Sequence, residues 1–314
     1  MSDERDLLIR TVRDLVTKHA DSESVRAAME SEHGYDESLW RLLCEQVGAA
    51  ALVIPEDLGG AGGELADAAA VIAELGRALV PTPLLGTTLA ELALLASDAP
   101  DTDTLEALAA GGSIGTVVFD PGFVVNGAIA DVVVAAADGR LIRWNDPSAT
   151  PAVTMDPTRR LAGLTASDTT PVGADPGLAD LAALLLAAEA VGAATRCLEL
   201  TVEYAKERVQ FGRPIGSFQA LKHRMADMYV KVQTASAVVD EAVQDPSPTS
   251  AALAHVTAIE AFRDIAGEAI QMHGGIAITA EHDIQLYFKR AHGSAQLFGQ
   301  PIEYLRRLES AALN

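Results

Sequence analysis

Two helical segments that meet at a short break between residues 204 and 229 constrain the fold of this chain most strongly. The break contains Gly212 and Pro214, and a proline disfavours the helical conformation at the residue before it. Beyond the break, apolar residues recur at alternating spacings of four and three, which predicts one buried stripe along a second helix. The stripe consists of Leu221, Met225, Met228, Val232, Ala235 and Val239. The chain is therefore expected to pack helix against helix around residues 208–219, which we name the elbow.

The elbow also carries the residue types that bind anions. Arg208, Phe211, Arg213 and Gln219 lie within it, and a helix begins close by. An arginine and free backbone N–H groups at the start of a helix suit a diphosphate. An ordinary interhelical turn with a surface arginine has the same pattern, so the spacing alone leaves both interpretations open.

Composition supports a helical protein and excludes several kinds of partner. Of 314 residues, 49% are hydrophobic but only 4% are aromatic, which is typical of helices packed on helices in two or three subdomains. The net charge is −21, and residues 1–112 hold 21 acidic but only seven basic residues. This charge argues against nucleic acid and anionic membranes as partners, while a local cluster of cations could still bind an anionic cofactor.

The cysteines and the apolar runs bear on the cellular setting. Cys44 and Cys197 are far apart, so the sequence predicts neither a disulfide framework nor a metal site. No run of about 18 apolar residues lacks charges or helix breakers, which predicts no membrane span. The acidic N-terminus has no apolar signal region. We expect a reducing, cytoplasmic setting.

The hydrophobic pattern divides the chain into three domains. Residues 1–112 are predicted to be helical, 113–173 to form a small β domain from short β-branched runs, and 174–314 to form a helical bundle. The predicted fold class is mainly α with a small β insert. Predicted helices cover residues 3–20, 22–32, 64–79, 88–96, 178–208, 251–274, 281–298 and 301–312, and the second elbow helix runs to about 244.

Connections between these elements are predicted from polar and breaker residues. Residues 97–104 (SDAPDTDT) and 165–177 (TASDTTPVGADPG) are expected to be linkers. Ser250 is expected to cap the helix that follows it. The Arg159–Arg160 pair could bind an anion, although a solvated pair of loop arginines is the interpretation we favour.

Two motifs give the chain a family resemblance. The run ERVQFGRPIGSFQALKHRMADM at the elbow resembles the R-x-x-F-G-x-x-(I/L)-x-x-(F/Y)-Q element of acyl-CoA dehydrogenases, and QMHGGIAIT at 271–279 resembles their Q-x-x-G-G element. The resemblance implies a helical N-terminal domain, a β domain that is here truncated to about half its usual size, and a C-terminal four-helix bundle. It also implies FAD as cofactor and the α,β-dehydrogenation of an acyl-CoA.

The family's catalytic glutamate has no counterpart at either of its two positions. A carboxylate must take the α proton in a water-poor pocket while a hydride passes to the flavin. Aligned on Arg290, the first position is occupied by Gly299; counted back from Arg208, the second is occupied by Ala182, followed by Ala183. Neither residue type can accept a proton. We expect no catalytic residue and no metal ligand in this chain.

The cofactor-contact pattern of the family is retained. Arg208, Phe211 and Gln219 match residues that contact the diphosphate and adenosine side of a neighbouring subunit's FAD, and Gln271, Gly274 and Gly275 match a second element on the same cofactor. Any Cβ would hinder close approach of the backbone to a ligand, which accounts for the glycines. We expect His273, like His223 and His292, to be a packed or capping histidine rather than a catalyst.

This combination resembles the short, non-catalytic subunit of actinobacterial heteromeric (α2β2) acyl-CoA dehydrogenases of steroid catabolism. The resemblance implies a full-length partner subunit that holds the acyl-CoA, and an electron-transfer flavoprotein as acceptor. Two alternatives stay open. A self-sufficient homo-oligomer could use a relocated base, or the chain could be purely structural. The acids near the family positions are Glu189, Asp180, Glu281 and Asp283.

Overall fold

The structure, a computed structural model, describes residues 3–313, and it begins with a helical layer. Its helices are α1 (Asp3–His19), α2 (Ser22–Glu30), α3 (Glu37–Leu42), α4 (Leu65–Arg77), α5 (Leu84–Leu95) and α6 (Thr102–Ala109). The side chains of Asp21 and Asp36 accept hydrogen bonds from the first backbone N–H groups of α2 and α3 and so start these helices. The predicted acidic linker at 97–104 is partly wrong, because Asp101 caps α6, which starts at Thr102.

Seven short strands follow, in two small sheets. They are β1 (Gly115–Val118), β2 (Val124–Val125), β3 (Val132–Ala137), β4 (Arg140–Asn145), β5 (Ser148–Ala152), β6 (Leu161–Thr165) and β7 (Asp168–Ala174). One sheet has the order β1-β3-β4-β7, and the other has the order β2-β6-β5. The predicted linker at 165–177 is wrong, since β7 lies within it and pairs antiparallel with β4.

The C-terminal part consists of five helices. They are α7 (Leu178–Glu207), α8 (Gln219–Ala242), α9 (Pro248–His273), α10 (Ile284–Ser294) and α11 (Pro301–Ala312). The α7 and α9 helices pack on each other, α8 and α10 contact both, and α11 packs on α9. The predicted cap at Ser250 is wrong by three positions. Ser247 is the N-cap of α9, and the side chain of Ser250 accepts a hydrogen bond from the backbone N–H of Ser247 in return.

The α7 helix forms the core of the molecule. It packs on α4 of the N-terminal layer as well as on α9, and Gly192 makes the first contact possible, because a Cβ there would lie 1.9 Å from the carbonyl oxygen of Ala73. Among the described residues, α7 alone is long and apolar enough to cross a membrane, but 72% of its apolar window is buried within the protein. Its hydrophobicity is therefore that of a core helix.

Candidate functional site

The elbow is a small β-hairpin rather than a simple turn between helices. Val209–Gln210 and Arg213–Pro214 form the antiparallel strands β8 and β9 after α7 ends. Phe211 and Gly212 connect them with φ angles of 54° and 77°, the left-handed pair that a tight two-residue hairpin requires. The Phe211 side chain consequently projects from the tip and is 91% exposed.

The Gly274–Gly275 turn lies at the same end of the helical bundle as the start of α8. Arg224 pairs with Glu268 at 3.1 Å, and about two helical turns further along α8, Lys231 pairs with Asp264. These pairs show that α8 runs antiparallel to α9, so the first residue of α8, Gln219, lies level with the turn that ends α9. Elements remote in sequence thus form one surface.

That surface is open to solvent and basic. All six residues predicted to contact the cofactor are exposed: Arg208, Phe211, Gln219, Gln271, Gly274 and Gly275. Within residues 3–313, the Arg208 side chain has no ion-pair partner. Between positions 204 and 225 the chain has five Lys or Arg residues and one Glu, although its net charge is −21. An anion can therefore approach Arg208 without displacing a carboxylate.

The two glycines fit a close approach by a ligand that lies outside this chain. Gly274 has φ 64° and ψ −141°, a conformation that glycine adopts readily and other residues avoid. No atom of the described chain lies within 4 Å of where a Cβ of Gly274 or Gly275 would be. Internal packing thus leaves the space over the turn free, and the exposed arginine and glutamines are suitable donors to a diphosphate or an adenosine.

The positions predicted to match the family's catalytic glutamate offer little room for a larger side chain. Gly299 has φ 104°, and a Cβ there would lie 3.0 Å from the ring of Tyr304. Ala182 and Ala183 on α7 are fully buried. A glutamate at Ala182 or Ala183 would require a rearrangement of the surrounding core, and one at Gly299 would strain the backbone and displace the Tyr304 ring.

A buried histidine lies beside Ala183 and Gly299. His255 on α9 is fully buried, and its ring centre lies 4.3 Å from that of Tyr304. Burial lowers the pKa of His255 to about 4, against the opposing effect of the backbone at Ala183 and Gly299. Neither ring nitrogen has a hydrogen-bond partner among the described residues. The ring is therefore neutral at pH 7. It occupies space beside Ala183 and Gly299 that a glutamate at either position would need.

Sequence reasoning missed a buried ion-pair cluster between the β strands and the helices. Arg290 on α10 contacts Asp156 at 2.7 Å and Glu189 on α7 at 2.8 Å, while Arg159 pairs with the other oxygen of Glu189. The Arg290 guanidinium also donates to the backbone oxygen of Thr158 at 2.9 Å. The cavity beside these groups has a volume of about 20 Å³, which is room for about one water molecule.

The expectation of a solvated arginine pair is therefore wrong for Arg159, whereas Arg160 is exposed. The Arg159 side chain is buried, and Arg160 donates to the backbone oxygens of Met29, Ser31 and Glu32. The available sequence signal was the pair of adjacent arginines that begins three residues after Asp156.

The acids considered as relocated bases lie in surroundings that do not suit that role. Burial would raise the pKa of Glu189, but the charges and hydrogen bonds of Arg159 and Arg290 outweigh it and hold the pKa below its ordinary value. Asp180 pairs with Arg307 at 2.6 Å, and Asp283 pairs with Arg26 at 2.7 Å.

Glu281 is the remaining candidate for a relocated base. Glu281 is exposed on the loop before α10. Across residues 3–313, no group of three His, Cys, Asp or Glu residues is placed to hold a metal ion.

Comparisons with known families agree with the fold and the motifs. The family model described as "Acyl-CoA dehydrogenase, N-terminal domain" matches residues 2–112, and the one described as "Acyl-CoA dehydrogenase, C-terminal domain" matches residues 178–308. The strands lie between the two matched segments.

Several curated relatives and solved structures match nearly the whole chain. Acyl-CoA dehydrogenase IpdE2 of Mycobacterium tuberculosis is 68% identical over 308 residues, which cover 98% of this chain and 97% of the relative. A variant of the Tcur3481-Tcur3483 steroid ACAD superposes with a TM-score of 0.90 at 27% identity and covers 98% of this chain and 97% of that one. The ChsE4-ChsE5 complex from Mycobacterium tuberculosis superposes with a TM-score of 0.88 at 26% identity, covering 100% and 98%.

Proposed function

This chain belongs to the acyl-CoA dehydrogenase family, and from that premise we propose that it is a subunit without a catalytic base. It acts in a hetero-oligomer, α2β2, with a full-length acyl-CoA dehydrogenase. The partner provides the glutamate and the pocket for the acyl-CoA, and this chain provides contacts to the partner's FAD.

The observation that carries the proposal is the contrast between the residues at the catalytic positions and the open cofactor-contact surface. Ala182 is fully buried, and Gly299 has a backbone conformation that strains any residue with a Cβ, so neither position can present a carboxylate without local rearrangement. Arg208, Phe211 and Gln219 face solvent at one end of the bundle. A self-sufficient enzyme would also need an accessible carboxylate to act as the base.

FAD supplies the hydride acceptor of the family's reaction when it is bound. In the proposed assembly, Arg208 and Gln219 hold its diphosphate and adenosine side through charge-assisted and neutral hydrogen bonds. Gln271 and the backbone at Gly274–Gly275 approach the same cofactor. The exposed Phe211 ring offers an apolar surface at the hairpin tip.

We further propose that the substrate is a CoA thioester derived from a steroid and that an electron-transfer flavoprotein accepts the electrons. The likeness to a steroid ACAD and to the ChsE4-ChsE5 complex supports the heteromeric assembly and the substrate class. A polycyclic acyl group needs a roomy pocket, and a chain whose own catalytic positions offer little room leaves that pocket to its partner.

Co-expression with a candidate full-length subunit tests the proposal. We expect FAD loading, an α2β2 mass in native mass spectrometry, and dehydrogenase activity with a steroid acyl-CoA only when both chains are present. Arg208→Ala should weaken FAD binding by about 1.5–3 kcal/mol, as expected for a lost charge-assisted bond. Arg140→Ala, which removes an exposed arginine on β4, is the matched control and should have no effect.

Two results would contradict the proposal. Activity and bound flavin in this chain alone would indicate a self-sufficient enzyme with a relocated base. Unchanged FAD affinity in an assembled Arg208→Ala complex would leave the elbow a purely structural element.

A further inference from the structure

A single residue connects the two halves of the cofactor-contact surface, through its backbone on one side and its side chain on the other. Tyr204 lies in the last turn of α7, and its backbone oxygen accepts the N–H of Arg208 at 2.8 Å. Its phenol O–H donates to the backbone oxygen of His273 at 3.3 Å, directly before Gly274. The elbow and the Gly274–Gly275 turn are therefore joined through one residue whose ring lies between them.

Ring stacking reinforces this connection. The Tyr204 ring lies 4.3 Å from that of His273 at an interplanar angle of 20°, which is a stacked arrangement. His282, from the loop before α10, contacts the His273 ring edge-on at 4.9 Å and the Tyr204 ring at 6.4 Å. Three segments of the chain thus meet in one aromatic cluster beneath the exposed glycines.

His273 holds the centre of this cluster in a fixed orientation. It is buried, as predicted for a packed histidine, and its Nδ1 lies 2.8 Å from the backbone oxygen of Ala269. Burial lowers the pKa of His273, the Ala269 oxygen opposes this effect, and His282 lowers the pKa further. The neutral ring donates from Nδ1 to that oxygen, because a carbonyl can only accept, and this bond sets the ring plane on which Tyr204 stacks.

Resting on the proposed function, we infer that Tyr204 is a positioning residue for the partner's FAD: it sets the separation and orientation of Arg208 relative to Gly274. It fixes the geometry by which two sequence-distant elements contact one cofactor. A diphosphate bound by both elements requires them to be in register, since hydrogen bonds weaken steeply with distance and angle.

The test uses the co-expressed complex and two substitutions of graded severity. Tyr204→Phe removes only the O–H and keeps the ring, and we expect FAD affinity to fall about three- to tenfold. Tyr204→Leu also removes the stacking and should lower the affinity further. Tyr229→Phe is the matched control: Tyr229 is 57% exposed on α8 and makes no hydrogen bond among the described residues, so its affinity should be unchanged.

Two further readouts separate positioning from general destabilisation. At saturating FAD, the kcat and the KM for acyl-CoA of the Tyr204→Phe complex should equal those of the wild type. Combining Tyr204→Phe with Arg208→Ala should weaken FAD binding by less than the product of the two single effects, because Tyr204 acts through Arg208.

The inference is overturned if Tyr204→Phe leaves FAD affinity unchanged, or if its effect multiplies fully with that of Arg208→Ala. In either case an Arg208→Ala effect on its own leaves the proposed function standing. If Arg208→Ala has no effect, both the proposed function and this inference are wrong. If Tyr204→Leu does not fold, Tyr204→Phe still decides, because it preserves the ring packing.

Discussion

Backbone conformation restricts what residue 299 can be. Glycine tolerates φ 104°, whereas a residue with a Cβ is strained there and would also press on Tyr304. A glutamate at position 299, which the motif alignment predicts to be the family's catalytic position, would therefore be strained in the present backbone conformation.

Gly299→Ala should destabilise the chain more than the same substitution at a glycine where the new Cβ strains the backbone but meets no neighbouring atom. Gly139 is the matched control, since it has φ 71° but no atom within 4 Å of the place that a Cβ would occupy. We expect Gly139→Ala to cost about 1 kcal/mol and Gly299→Ala at least about 1 kcal/mol more. Urea unfolding of the three proteins measures this difference, and equal costs would show that Tyr304 yields without penalty.

At the scale of elements, the ion-pair cluster joins the β strands to α7 and α10. Asp156 and Arg159 come from the loop before β6, Glu189 from α7, and Arg290 from α10. Buried charges of this kind cost desolvation energy, but the loss of one member leaves the others uncompensated. The cluster therefore holds these layers in one arrangement.

Glu189→Gln should consequently be strongly destabilising. Two buried arginines would lose their shared carboxylate, and we expect a loss of about 3–5 kcal/mol in the free energy of unfolding. Asp180→Asn removes the acid of a partly exposed pair with Arg307 and should cost no more than about 1 kcal/mol. Chemical denaturation of both variants gives the comparison, and similar small losses would mean that the cluster contributes little.

The sequence predicted those elements whose burial leaves a periodic pattern. The elbow helix is one example, since Met228, Val232, Ala235 and Val239 are all buried. The strands β5 and β7 are mostly exposed edge strands, so their residues lack the alternation that marks a half-buried strand. The elbow hairpin was missed because its strands have only two residues each.

The candidate site was predictable only in part, for a related reason. The motifs predict a cofactor contact for Arg208, Gln219 and the glycines, because local sequence carries that pattern, and the structure shows these residues exposed. The ion-pair cluster brings together residues that are 30 to 134 positions apart in sequence. Such pairings depend on how the layers pack, which no local pattern encodes.

At the scale of the whole molecule, one buried acid is expected to lower the stability of the fold as the pH rises. Glu91 on α5 is fully buried, and neither carboxylate oxygen has a hydrogen-bond partner among the described residues. Burial raises the pKa of Glu91 well above 4.5. In the unfolded chain the same group ionises near its ordinary pKa, so above that pH the unfolded state binds fewer protons and the folded state loses stability.

Glu91→Met removes this titration. The advantage of the variant over the wild type in free energy of unfolding should be constant below pH 4.5. Above it, the advantage should grow by up to about 1.4 kcal/mol per pH unit until the folded carboxyl ionises. Unfolding curves of both proteins from about pH 4 to 8 measure this difference. The other acidic residues contribute equally to both proteins, so their effects cancel in the difference. A pH-independent difference would disprove the role of Glu91.

The small cavity beside Arg159, Glu189 and Arg290 has a consequence for the order of assembly. Side chains of the protein itself fill the space around these three residues, so this part of the core needs no ligand to be complete. We expect the chain to be synthesised and stored without flavin. Flavin occupancy would then report the meeting of two subunits, and the supply of the partner would set the amount of active enzyme.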